Sequence, residues 1–316
     1  MSWLLDRLPP ELKKKNNFVF LGAVHWPRGL ALICNKSKPL LAQFYDRVQP
    51  KDVNEEADNQ VFLQIMMSLH YLATLKSMNK RLEDAQVFSR IAIVSWYYGI
   101  LNAAKAMNTA TDNSDSQTHR KAADEWDAKI SSRKLILSPF DYRINSLVKK
   151  SYMAEINKYP NCKGYSQRNP SDLTTAEGIC CSYLSGTADW YRKKEEIKIR
   201  SSKEYTGAGF QNFKSKDSQG LRDSSLSKKS CGFLHEAFRY RGKSNYRDVT
   251  YLAHTTDFHN QFMQLLSDLD STLEFFITMA ISYCSRRLKK ETFKLFIEDA
   301  SKNALLKDME NVLIVK

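Results

Sequence analysis

Residues 89–107 read SRIAIVSWYYGILNAAKAM, and the reading of this stretch decides the fold. Phe88, Ile91, Ser95, Tyr98 and Leu101 fall on one stripe at helical spacing, while Ile93, Trp96, Tyr97 and Ile100 lie largely off it. A helix that is apolar nearly all round is buried on several sides, so the pattern predicts the central helix of a bundle, running from about Leu82 to Met107. Ala103, Ala104 and Ala106 leave room for a neighbour to pack closely.

Outward from this stretch the chain stays helical. Val61, Ile65, Leu69 and Leu72 share one face of a helix between Asp52 and about Leu82. After a polar, turn-forming loop, TATDNSDSQTH, comes a short polar helix, HRKAADEWDAKI, and Ser138-Pro139 is expected to start another, since proline is best tolerated in a first turn. Towards the C-terminus, 231–255 predicts one helix or two with a break near Gly242. The segment 257–290 predicts a long amphipathic helix with Phe262, Leu265, Leu266, Leu269, Leu273, Phe276 and Ile277 inward.

Two segments read differently. Residues 18–34, FVFLGAVHWPRGLALIC, are rich in β-branched and aromatic residues split by Pro27-Arg28-Gly29, which predicts a β-hairpin or a short irregular cap. Residues 159–230 are dominated by Ser, Gly, Asn, Lys and Asp, apart from a helical island from about Leu173 to Arg200. They read as a partly disordered surface decoration on one core. The expected organisation is therefore a cap over 1–50, helical core over 51–158, a polar insertion over 159–230 and the rest of the core over 231–316: a mainly α bundle with a small N-terminal β element.

The composition narrows the function. The 316 residues include 11 Gly and 8 Pro, few breakers for this length, which favours helix over sheet. The net charge of +13 raises the local concentration of polyanions, and nucleic acid is the first partner to consider, ahead of an anionic surface or an acidic protein. The six cysteines, Cys34, Cys162, Cys180, Cys181, Cys231 and Cys284, form no CxxC pair. They read as buried or incidental thiols of a reducing compartment, with no clustered ligands for zinc. The N-terminus lacks a signal-peptide layout and the apolar runs are short, so a cytoplasmic chain without membrane association is expected, with no cofactor and no metal. TGAGF at 206–210 lacks the Lys-Ser/Thr ending of a phosphate loop, and Asp268 and Asp270 are spaced wrongly for a carboxylate dyad on a helix.

The central stretch resembles the corresponding helix of HEPN domains, through Ser95, Tyr97, Tyr98, Ala103, Ala104 and Ala106. Thr118-His119 resembles the pair that opens the next helix, and RGKSNYRD resembles a later stretch of one HEPN branch, through Arg241, Asn245 and Tyr246. The resemblance covers roughly 85–125 and 231–285. It implies an all-α bundle, often a homodimer, whose members include metal-independent endoribonucleases of bacterial toxin and antiviral defence systems. Those members use an Arg, a polar residue after it, and a His four to six residues further on. Arg247, Asp248 and His254 meet that pattern, with Asp248 where Asn is commoner and without the tyrosine often found past the histidine.

The residue types suit the chemistry. Internal RNA cleavage removes a proton from a ribose 2′-hydroxyl, and His titrates near neutral pH. Arg stabilises charge gathering on phosphorus with a fixed cationic fork. His254 is then the acid/base, Arg247 the phosphate stabiliser and Asp248 their positioner, while Arg241, Lys243 and Asn245 hold nucleic acid. Two alternatives stay open. His254 as a favourable cation at a helix C-terminus, with Arg247 solvated, explains the same residues. A non-catalytic module binding a partner protein or nucleic acid, with Arg241, Asn245 and Tyr246 supporting the fold, explains the same bundle. His119 reads first as a neighbour of a helix cap, and 190–200, WYRKKEEIKIR, as a solvated helix face ahead of a nucleic-acid patch.

Overall fold

The computed structural model describes residues 7, 16–165, 169–246 and 259–303. The chain is mainly helical. In chain order the principal helices are α1 (Asn16–Ser37), α2 (Glu55–Asn79), α3 (Ala85–Asp112), α4 (His119–Trp126), α5 (Lys149–Ile156), α6 (Leu173–Arg200), α7 (Lys216–Leu226), α8 (Phe233–Tyr246), α9 (His259–Arg287) and α10 (Lys290–Asn303).

Helix α3 is the centre of the bundle, as its sequence predicts. It packs most extensively on α2 and α9, and also on α8 and α4. The face that carries this packing is Ala92, Ile93, Trp96, Tyr97, Ile100, Ala103, Ala104 and Met107, all buried. The stripe through Phe88 and Ile91 turns from the surface, where Ile91 is 46% exposed, to the buried Ser95 and Leu101. Trp96 donates from Nε1 to Thr272 Oγ1 at 3.0 Å, so its one polar atom is satisfied inside the core. At the crossing with α9, a Cβ on Gly99 would stand 2.7 Å from both Leu273 methyl carbons; the glycine sets how closely the two helices approach.

The N-terminal segment is a helix and not a hairpin. α1 runs straight through Pro27, and two contacts show why it can. A proline lacks the N–H that would bond the carbonyl four residues back. That carbonyl, Ala23 O, accepts from the Tyr240 hydroxyl at 2.6 Å, so α8 supplies the missing donor. Gly29 then lets α1 lie against α6: a Cβ there would be 2.5 Å from Ile179 Cγ2 and 3.1 Å from Ala176 O. The Pro-Arg-Gly signal of a turn is, in this fold, a helix–helix contact.

The segment 159–230 is likewise no decoration. Its helical island is found with the predicted limits, as α6, capped by Asp172 and Thr175 in a reciprocal capping box. α6 is the main partner of α1 and buries Ala176, Cys180, Cys181, Leu184, Ala188 and Tyr191 in the common core. The described part of 201–230 adds α7 and a one-turn helix, Lys203–Gly207, with Tyr205 and Leu226 buried. The polar composition of the segment misled because most of its buried apolar residues are gathered in one helix, α6.

Pro139 does not begin a helix; Ser138–Ile144 is turns and a short strand, and α5 starts at Lys149. The β structure among the described residues is the pair β1 (Arg143–Ile144) and β2 (Cys231–Gly232), antiparallel, with Arg143 opposite Gly232 and Ile144 opposite Cys231. Asp127 clasps Arg143 through Nε at 3.1 Å and Nη2 at 2.9 Å. A Cβ on Gly232 would lie 2.6 Å from Asp127 Oδ1, so glycine is required where this clasp meets the strand. The small ladder fixes the start of α8, the helix on which the candidate site is built.

Candidate nucleic-acid interface

Helix α8 has two faces. Phe233, Ala237, Tyr240 and Ser244 point inward and are buried. Phe238, Arg239, Arg241 and Lys243 lie on the other side, partly exposed. With Trp190 and Lys194 of α6 and with Gly242 they line a groove of about 250 Å³. Four of its seven lining residues are cations, two are aromatic, and none is acidic.

The cations are braced against rings. Lys194 Nζ sits 3.8 Å from the centre of the Trp190 ring. Arg239 donates to Thr187 Oγ1 at 2.9 Å and lies 5.3 Å from the Tyr183 ring, which Lys243 approaches at 6.0 Å. The guanidinium of Arg241 is enclosed by Tyr97, Phe238 and Tyr98, at 5.1, 5.5 and 5.8 Å from the three ring centres. Such contacts hold a charge in place without neutralising it. The Arg241 Nε is buried without a hydrogen-bond acceptor among the described residues.

Beside Arg241 stands a histidine. Thr118 caps α4, its side chain accepting from Lys121 N, and this places His119 at the first position of the helix. The His119 ring lies parallel to that of Tyr97, 5.6 Å away at 7°, and its Nδ1 is 2.6 Å from the Tyr97 hydroxyl. Burial lowers the His119 pKa, and the nearby charges of Arg241 and Lys105 lower it further, so the ring is held neutral. Burial pushes the Tyr97 phenol up, against the pull of Arg241.

A second histidine is built in below the groove. His235 accepts from Gly232 N at Nδ1, 3.3 Å, so its proton is on Nε2, which donates to Asp124 Oδ1 at 2.9 Å. Burial raises the Asp124 carboxyl, but His235 and Arg120 together outweigh it and hold it below the usual range. Arg120 binds both oxygens of Asp124 and covers the Tyr191 ring at 4.5 Å. His235 is fully buried and this set of contacts ties α4, α6 and α8 together.

The residues singled out from the sequence divide as follows. Arg241 and Lys243 line the groove. Asn245 belongs to the last turn of α8. Arg247, Asp248 and His254 lie outside the described residues. Tyr97, Tyr98 and His119 come together with Arg241 in the structure. Sequence reasoning missed Phe238 and Arg239 and placed a nucleic-acid patch at 190–200 second to a solvated helix face. The signal for Trp190 and Lys194 was present, a Trp and a Lys four residues apart on one face of α6. It was masked by the ion pairs that the rest of that stretch does form, such as Arg192 with Asp189 and Glu196.

Among the described residues no cluster of three or more His, Cys, Asp or Glu is placed to hold a metal ion, and no helix is long and apolar enough to cross a membrane. Compared with family models, curated proteins and solved structures, the chain finds no match.

Proposed function

We propose that the chain is a HEPN-like RNA-binding protein that holds single-stranded RNA in the α6–α8 groove and cleaves it without a metal. The observation that carries the binding reading is the groove lining, four ring-braced cations and two aromatic rings with no carboxylate. Single strands are bound in this way, phosphates on fixed cations and bases on aromatic faces. The helix that forms the groove wall leads directly into Arg247, Asp248 and His254. In the proposed reaction His254 takes the 2′-hydroxyl proton, Arg247 stabilises the charged phosphorane and Asp248 orients the pair. By its family resemblance the protein acts as a cytoplasmic homodimer in a bacterial toxin or defence system.

The second reading is a non-catalytic interaction module. The packing of Arg241 among three rings favours it, since such an arginine also stabilises the bundle. An RNA cleavage assay in EDTA separates the two. Cleavage by the wild type, lost in Arg247→Ala and His254→Ala with helicity intact by circular dichroism, is the expected result. Binding without cleavage assigns the module, and absence of binding to single-stranded RNA at low salt removes the groove reading.

A further inference from the structure

His119 and Tyr97 share a hydrogen bond whose direction follows from the two groups. A phenol O–H is a stronger acid than a neutral imidazole N–H, and an imidazole nitrogen is a stronger base than a phenol oxygen, so the hydroxyl donates. The acceptor 2.6 Å away is His119 Nδ1. With Nδ1 accepting, the proton of a neutral imidazole is on Nε2. Among the described residues that nitrogen has no hydrogen-bond partner. His119 therefore presents an N–H donor and not a basic lone pair.

The surroundings favour an anion against this donor. α4 begins at His119, so the positive end of its dipole lies there. Lys105 approaches from α3, held by Asp115 at 3.0 Å, and Arg241 comes from α8. Asp124, the acidic residue one turn along α4, is engaged by His235 and Arg120 and does not compete. Phe238 lines the groove and lies 5.9 Å from the His119 ring, so the two sites are adjacent.

We infer that His119, Tyr97 and Arg241 form a phosphate-binding subsite at the edge of the groove, with the His119 Nε2–H and the Arg241 guanidinium as its donors. Tyr97 is a positioning residue that fixes the histidine tautomer. The ligand is a phosphate oxygen, from either an internal phosphodiester or a terminal phosphate. The subsite rests on the RNA reading only for the source of that phosphate.

Nitrogen-15 NMR of the histidines in the full chain tests it, with inorganic phosphate as the first probe. The wild type is expected to show His119 as the Nε2–H tautomer, with Nε2 shifting on phosphate addition and Nδ1 hardly moving. Tyr97→Phe releases the tautomer and weakens phosphate by about fivefold, the loss of one hydrogen bond, while circular dichroism stays unchanged. Arg241→Ala abolishes the shift. An unshifted His119 at saturating phosphate, or unaltered phosphate affinity in Tyr97→Phe, overturns the subsite. A matched pair of single-stranded RNAs with 5′-hydroxyl and 5′-phosphate ends then identifies the source: equal His119 shifts assign the diester, and a shift confined to the phosphorylated strand assigns the terminus. RNA that binds without moving His119 refutes the subsite and leaves the groove reading standing. Phosphate that moves His119 in a chain that binds no RNA supports the subsite and refutes the groove reading.

Discussion

Two arginines of this bundle, each half-buried, are held in opposite ways. Arg287, at the end of α9, spends its donors on main-chain carbonyls: Nε on Ala110 O at 3.1 Å, Nη2 on Thr111 O at 3.0 Å and Nη1 on Gln49 O at 2.6 Å. It thereby caps the last turn of α3, whose carbonyls have no partner within the helix. Arg241 is surrounded by three aromatic rings, and the hydroxyl of the nearest, Tyr97, is committed to a histidine. The first arginine completes the fold. The second is positioned by the fold and keeps its charge and part of its hydrogen-bonding capacity. The difference separates an arginine that stabilises from one available to a ligand, although exposure alone does not distinguish them.

The comparison can be broken experimentally. Arg287→Ala removes the donors of three carbonyls and is expected to cost about 3 kcal/mol in urea unfolding. Arg241→Ala loses ring contacts and is expected to cost about 1 kcal/mol. Equal costs would mean that Arg241 is a structural residue too. Tyr240→Phe examines the same principle in α1: it orphans Ala23 O beneath Pro27 and is expected to cost about 2 kcal/mol.

Arg28 offers an intermediate case, an arginine on a buried carboxylate. It bonds Asp268 Oδ1 at 3.1 Å, yet burial outweighs this help and pushes the Asp268 carboxyl up to about 6, above the usual carboxylate range. Because the folded carboxyl holds its proton more tightly than the unfolded one, its contribution to stability is greatest below pH ~4 and is lost as pH rises towards ~6. The expected loss across that window is on the order of 3 kcal/mol, and Asp268→Asn removes this pH dependence. Stability measured at matched pH values in the two proteins checks the sign. A wild type that gains stability over this range would reverse the assignment.

Smaller effects sharpen the contrast at the groove. Lys194→Ala is expected to weaken single-stranded RNA binding about threefold to tenfold and to flatten its salt dependence by about one charge. Fluorescence anisotropy at several salt concentrations measures both. Lys193→Ala, one residue away and paired on the surface with Asp189 at 2.8 Å, is expected to change stability by only ~0.3 kcal/mol and to leave RNA binding unchanged.

The central helix was legible because Trp96, Ile100, Ala103 and Ala104 widen its apolar surface well beyond a single stripe. α6 was legible in its limits because Asp172 and Thr175 signal the start. What was not legible depended on distant partners. Pro27 and Gly29 are turn residues by local rules, and they become helical only because Tyr240 and Ile179 meet them from elsewhere in the chain. The groove was half-legible for a similar reason. Arg241 and Lys243 were singled out on their own helix, but the rings that brace them come from α3 and α6. His119 read as a neighbour of a cap, which it is; its link to Tyr97 spans 22 residues and a turn of chain that local spacing does not resolve.

The proline in α1 has a consequence for how the protein is made. The hydroxyl that completes this helix is 217 residues downstream, and the carboxylate that pairs with Arg28 is 240 residues downstream. At roughly 10 residues per second of translation, α1 leaves the ribosome some 20 s before either partner exists. For most of that interval α1 lacks both α6 and α8, whose Tyr183 and Tyr240 pack on Trp26. The first helix among the described residues is thus among the last to be secured, and the finished groove and the finished α1 arise in the same late step of assembly.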